Sequence, residues 1–368
     1  MARFHVGAVA IVVASCSWVA GLDDPLPSPI DGSPMIGTDG PTGPFCYGSG
    51  LVTVCFARPP SGEVDLPMTD NGMLDTTNCP NPGVISTMPS GAPGICVIAG
   101  SEIAIGAVTA TGSADLVLVA TGTITLTGVL DASTRIHAPP DKMGPGADGL
   151  ACNKGGSLGS DGGGAGGSYG GRGGAGGIGG AASGSAIGVS PFHAGCEGEV
   201  GAGDAADNGG HGGGAVYLIA RAISIAPNAA IIADGAGGGS GGSTIQCSSC
   251  GGGGGGTGGT IGLEAQTVTL AAGASLCAVG GGGGQGAGTD AGADGMDGML
   301  CLGGPGGMTS GSGTGGSGGA GATTGSAGNG TGSGSEGGGG GGGSFGAIRI
   351  FAATRAIDMG ATIVPPAP

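Results

Sequence analysis

The sequence predicts an all-β fold: a parallel β-solenoid, specifically a right-handed β-helix of about five turns, with long glycine-rich insertions between turns and a disulfide-tied N-terminal cap. Three observations predict it. Apolar residues recur with period two in five short segments, the pattern of strands with one buried face. The first two copies of this pattern lie 21 residues apart, which leaves room for three short strands and their corners. Of 368 residues, 99 are Gly and 22 are Pro, while only 9% are charged and 3% aromatic. Such a chain is too apolar to stay open like a disordered segment and too poor in aromatics for one large globular core.

Residues 1–21 carry a short basic start (Arg3, His5) and an apolar stretch from Val6 to Ala14. That stretch is shorter than the roughly 20 residues needed to span a bilayer, and it suits a secretory signal. Val13-Ala14-Ser15-Cys16 resembles the bacterial lipobox, which implies that Cys16 is lipidated and becomes the first residue; cleavage after Gly21 is the other reading. Residues 17–44, rich in Pro, Gly, Asp and Ser, read as an extended tether. Residues 45–94 carry three Cys and scattered Pro and read as a cap over the first strand edges.

The repeat occupies residues 95–364. Aligned on Ala99, Ala120, Ala220, Ala265 and Ala352, the positions four and two before are apolar in each copy: Ile95 and Val97, Leu116 and Leu118, Val216 and Leu218, Ile261 and Leu263, Ile348 and Ile350. A second strand follows at Ile103–Ile105, Ile124–Leu126, Ile223–Ile225, Val268–Leu270 and Ile357–Met359. A third falls at Val108–Ala110, Leu130–Ala132, Ile231–Ala233 and Leu276–Ala278, with Ala361–Ile363 a looser match. Stacked at about 4.8 Å, five turns give a column about 24 Å long; right-handedness follows the rule for parallel crossovers. Ile98, Val119, Ile219 and Phe351 are expected to face outward, an apolar stripe in need of a cover.

The insertions span about 133–213, 235–259 and 279–343, and each begins after a third strand. Residues 251–256 are six consecutive Gly and 337–343 are seven. Two readings stay open: flexible solvated loops, or extended polyglycine strands lying together, backbone against backbone.

With Cys16 set aside, ten cysteines remain: Cys46, Cys55, Cys79, Cys96, Cys152, Cys196, Cys247, Cys250, Cys277 and Cys301. An even number in an exported chain points to as many as five disulfides. Spacing suits local pairs Cys46–Cys55 and Cys79–Cys96 but leaves the connectivity open. Cys247-Ser-Ser-Cys250 has the CxxC form, yet it lacks the helix of a redox motif and the second pair of a zinc site, so it reads as a structural disulfide.

No catalytic, cofactor-binding or metal residue is assigned. Gly155–Gly159 and Gly315–Gly319 match GxSxG, but neither joins a strand to a helix. His137, His193 and His211 lie in or at the mouth of the first insertion without a partner at useful spacing. Glu264 is the one acid at the outward position of the first strand, so no two carboxylates converge as glycan cleavage needs. Asp290, Asp294 and Asp297 form an oxygen-rich cluster of the kind that binds Ca²⁺, but the spacing fits no calcium loop and reads as a solvated acidic turn. Nine Lys and Arg against 25 Asp and Glu give −16 with no basic cluster, which excludes nucleic acid as a partner.

The lipobox, the cap, the CVIAG strand, GGAVYLIA, GGTIGLEA and the GGGGGG tracts together resemble the glycine-rich predicted lipoproteins abundant in myxobacteria. The tracts are also similar to those of the mycobacterial PE-PGRS proteins, although no helical PE leader domain is present. The resemblance implies location: an outer-membrane or cell-surface lipoprotein, otherwise a secreted protein. Its expected partners are the membrane, through the lipid anchor, and surface polysaccharide or other envelope proteins. The expected function is a non-enzymatic envelope scaffold or adhesin. The alternative is a polysaccharide-binding or polysaccharide-degrading β-helix protein, for which Tyr217 and Phe351 are the outward aromatics of the first strand.

Overall fold

A computed structural model describes residues 44–66, 72–79, 84–86, 94–149, 152, 161–187, 192–203, 209–242, 249–308, 316–332 and 336–368. The leader, Cys16 and the tether up to residue 43 lie outside the described residues.

The strands fall into three sheets. Phe45–Tyr47, Val54–Phe56 and Val84–Ser86 form a small antiparallel one. A nine-stranded sheet runs in the order Glu63–Leu66, Glu102–Ile105, Thr123–Leu126, Ala222–Ile225, Thr260–Leu270, Ala215–Ile219, Asp115–Ala120, Ile95–Gly100, with Ala347–Ile357 also paired to Thr260–Leu270. The six-stranded sheet comprises Met73–Asp75, Val108–Thr111, Val129–Asp131, Ala230–Ile232, Ser275–Cys277 and Thr362–Val364. Every pairing in these two larger sheets is parallel.

This architecture corrects the expected right-handed β-solenoid. The first and second strands of the repeat are not separate faces of a turn. Thr260–Leu270 and Ala347–Ile357 run through both as single 11-residue strands, which joins them into one sheet that doubles back on itself. Among the described residues, much of the chain beyond residue 133 lies in no sheet, so the molecule is not a column of stacked turns with loops attached.

Register also departs from the alignment. Cys96 pairs with Leu116 and Val97 with Val117, one residue away from the expected match. A slip of one reverses the faces, so Cys96 and Ile98 enter the main core while Val97 faces the other way. In the last copy Val268 pairs with Arg355, Leu270 with Ile357 and Leu276 with Ile363, which leaves Met359 exposed outside the strands.

The main core lies between the two parallel sheets, with Leu118, Leu218, Leu263, Ile124, Ile223, Leu130 and Ile231 all buried in it. On the opposite face of the first strands, Val117, Val119, Tyr217 and Ile219 form a second core. The expected outward stripe is therefore covered. Its cover is Val54 and Phe56 of the antiparallel sheet and Val52 just before them, together with Phe192 and Ala194.

The glycine-rich segments form a third body of structure. In the 337–343 tract, Gly337, Gly340 and Gly343 donate to the carbonyls of Ala287, Gly284 and Gly281. Gly338, Gly341 and Ser344 donate to Asp161, Gly164 and Gly167, while Gly339 and Gly342 donate to Thr331 and Gly328. Every third amide points to the same neighbour, which is the three-residue turn of the polyproline II helix. No glycine of this tract has φ in the left-handed region. The 251–256 tract repeats the pattern: Gly251 and Gly254 donate to Ala202 and Glu199, Gly252 and Gly255 to Gly338 and Gly341, and Gly253 and Gly256 to Gly239 and Ala236. Of the two readings of these tracts, the structure has extended segments bonded laterally on three sides. A Cβ on Gly254, Gly281 or Gly340 would come closer than 3.0 Å to a neighbouring carbonyl oxygen, so only glycine permits this spacing. With few side chains to bury, the bundle offsets the backbone entropy of ordering glycine through its amide–carbonyl bonds.

Candidate metal centre

Three half-buried side chains converge in the first glycine-rich region. Gly195 N donates to Gly213 O at 2.7 Å, and Gly198 N to Gly210 O at 2.8 Å. That antiparallel register sets Glu197 directly opposite His211. Asp148 closes the group: its amide donates to Gly195 O at 3.1 Å, its Oδ1 accepts Gly212 N at 2.8 Å, and its Oδ2 lies 2.5 Å from His211 Nδ1. Asp148 itself sits at φ 60°, a strained conformation for a residue with a side chain. One ligand atom from each of Asp148, Glu197 and His211 lies within 4.8 Å of the others. The Cys152–Cys196 disulfide fastens the chain beside Glu197. One imidazole nitrogen and two carboxylates make a donor set suited to a divalent transition metal.

Sequence reasoning missed this centre because its residues are 49 and 14 positions apart and match no ligand motif. A pairing register in polyglycine leaves no apolar alternation to read. The available signal was the grouping of His193, Glu197, Glu199, Asp204, Asp207 and His211 within 19 residues of a chain of which only 9% is charged.

Other residues singled out from the sequence have structural partners. Cys46–Cys55, Cys79–Cys96, Cys152–Cys196 and Cys277–Cys301 are disulfides, and Cys250 is also disulfide-bonded; Cys247 lies outside the described residues, as does Ser157 of the first GxSxG match. Ser317, at the centre of the second, is bonded through its backbone to Thr331. Asp294 accepts Ser240 N at 2.7 Å and pairs with His137 at 3.1 Å. Burial opposes ionisation of Asp294, but these two hydrogen bonds outweigh it and hold the carboxyl below its usual range. Asp297 accepts Ile136 N and Gly237 N, whereas Asp290 is exposed. Two acids of the cluster expected to be a solvated acidic turn thus join separate segments of backbone.

Glu264, expected on the outside, is 2% exposed. Its carboxylate accepts Ser49 N at 2.7 Å, Ser49 Oγ at 2.9 Å, Gly50 N at 3.1 Å and the Tyr217 hydroxyl at 2.6 Å. Leu51 N donates in turn to the Tyr217 hydroxyl. Tyr217 is fully buried and Phe351 is half-buried against the second core, so the two aromatics expected on an outer groove lie beneath the 49–51 segment. Elsewhere burial pushes the Asp115 carboxyl well above its usual range and the Asp234 carboxyl to about 7, and it depresses His193.

No family model, curated protein or solved structure matches the chain. Among the described residues, no helix is long and apolar enough to cross a membrane.

Proposed function

We propose that this protein is a non-enzymatic, exported cell-envelope protein serving as a rigid surface scaffold or adhesin, anchored in the membrane through a lipid on Cys16. The observation that carries this reading is the laterally bonded glycine bundle. Its buried backbone is tied on three sides, and the disulfides that pin its margins suit an oxidising compartment outside the cytoplasm. Most of the buried or half-buried acids hold backbone amides rather than facing a cleft, and the negative net charge favours solubility without drawing polyanions. The polysaccharide alternative loses its main support with the burial of Tyr217. Intact mass spectrometry of the protein isolated from the envelope tests the proposal. The expected mature chain begins at Cys16, carries acyl mass and has its cysteines oxidised. A chain still beginning at Met1, with free thiols, overturns it.

A further inference from the structure

We propose that Asp148, Glu197 and His211 bind one divalent transition-metal ion of the Zn²⁺ class. The donor chemistry selects the ion. Ca²⁺ takes six to eight oxygen ligands, whereas an imidazole with two carboxylates suits Zn²⁺ and its neighbours in the transition series. The geometry selects the place. The three side chains come from three separate segments, and backbone bonds fix each segment independently of the side chains: Asp148 N to Gly195 O, Gly195 N to Gly213 O, Gly198 N to Gly210 O. Within this frame the ligand atoms already lie within 4.8 Å of one another, so small side-chain rotations bring all three onto one ion. Three protein donors leave the fourth position of a tetrahedral ion for water, and all three residues are half-buried. The contrasting pair His137 and Asp294 has only two donors, both more exposed than His211 and Asp148. The ion would clip residue 148 to the paired segments 195–198 and 210–213, at the margin where the Cys152–Cys196 disulfide already acts.

The test uses the full oxidised chain, stripped of metal with EDTA and titrated with Zn²⁺ against a chromophoric chelator. The expected result is one equivalent bound in the micromolar range or tighter, with binding unaffected by about 1 mM Ca²⁺. Glu197→Gln and His211→Asn each weaken binding at least about tenfold, while His137→Asn leaves it unchanged. Zn²⁺ also raises the thermal midpoint of the wild-type chain, and the rise is lost in Glu197→Gln. Far-ultraviolet circular dichroism without metal establishes that each variant is folded; if His211→Asn is not, the isosteric Glu197→Gln decides alone. Wild-type binding weaker than about 1 mM, equal competition by Ca²⁺, or undiminished binding by folded Glu197→Gln overturns the proposal.

Discussion

Replacing Gly340 by Ala puts one methyl group between the two polyglycine tracts of the glycine bundle. Its Cβ would come closer than 3.0 Å to the carbonyl oxygen of Gly253, and relief requires the 251–256 and 337–343 tracts to separate by about 1 Å. Gly252 N to Gly338 O and Gly255 N to Gly341 O join those tracts at 2.9 Å each, and both bonds are lost at that separation. Each leaves a buried donor and acceptor unmatched at about 1–3 kcal/mol, so the substitution costs about 2–6 kcal/mol. Gly94→Ala is the control, since its nearest contact is Ala114 Cβ at 4.0 Å, and it is expected to stay within about 0.5 kcal/mol of wild type. Both changes reduce unfolded-state entropy alike, so the comparison isolates the steric term. Urea unfolding midpoints at fixed pH read the difference. Equal midpoints for the two variants would refute the reasoning, because an uncrowded or mobile tract has no carbonyl for the methyl to displace.

The buried Asp234 carboxyl, pushed to about 7 from 3.8 by burial, binds its proton more tightly when folded. Its contribution is full below about pH 4 and is lost as pH rises towards 7, by up to about 4 kcal/mol; Asp234→Asn is expected to flatten that slope and exceed wild-type stability at pH 8 in urea unfolding. Removing the Cys152–Cys196 bridge by Ser substitution at both positions opens a loop of 44 residues. The expected loss is about 4 kcal/mol, read as a lower thermal midpoint under oxidising conditions, with the reduced wild type falling at least as far. Glu264→Ala strands the Tyr217 hydroxyl and the Ser49 and Gly50 amides, at about 3–5 kcal/mol. Limited proteolysis should then cut near residues 48–53 before the sheets unfold, and cleavage there at the wild-type rate would show that Glu264 does not hold the segment.

The strands were legible because apolar alternation survives in a single sequence. Leu116, Val216, Ile261 and Ile348, matched by pattern, are paired side by side. Where alternation is ambiguous, it failed. In Ile95–Ile98 four consecutive apolar or small residues fit either face, and the pairing of Cys96 with Leu116 settles what the pattern could not. The sheet architecture was misread because nothing marks Ala265–Thr267 as continuous strand rather than corner. The glycine bundle was legible only as an open choice, since glycine carries no side chain from which direction or burial can be inferred. The metal centre was hidden for the same reason: the positions of Glu197 and His211 follow from backbone bonds between glycines on either side of them.

The glycine tracts are ordered extended helices bonded on three sides. Residue-resolved hydrogen exchange of the seven consecutive amides of 337–343 tests it most directly. Each of these amides has an identified carbonyl partner at 2.7–2.9 Å. Slow exchange is expected for all seven, within range of the strand Thr260–Leu270 and far below unfolded-chain rates. Exchange at unfolded-chain rates across the tract, with the strand still protected, would contradict it.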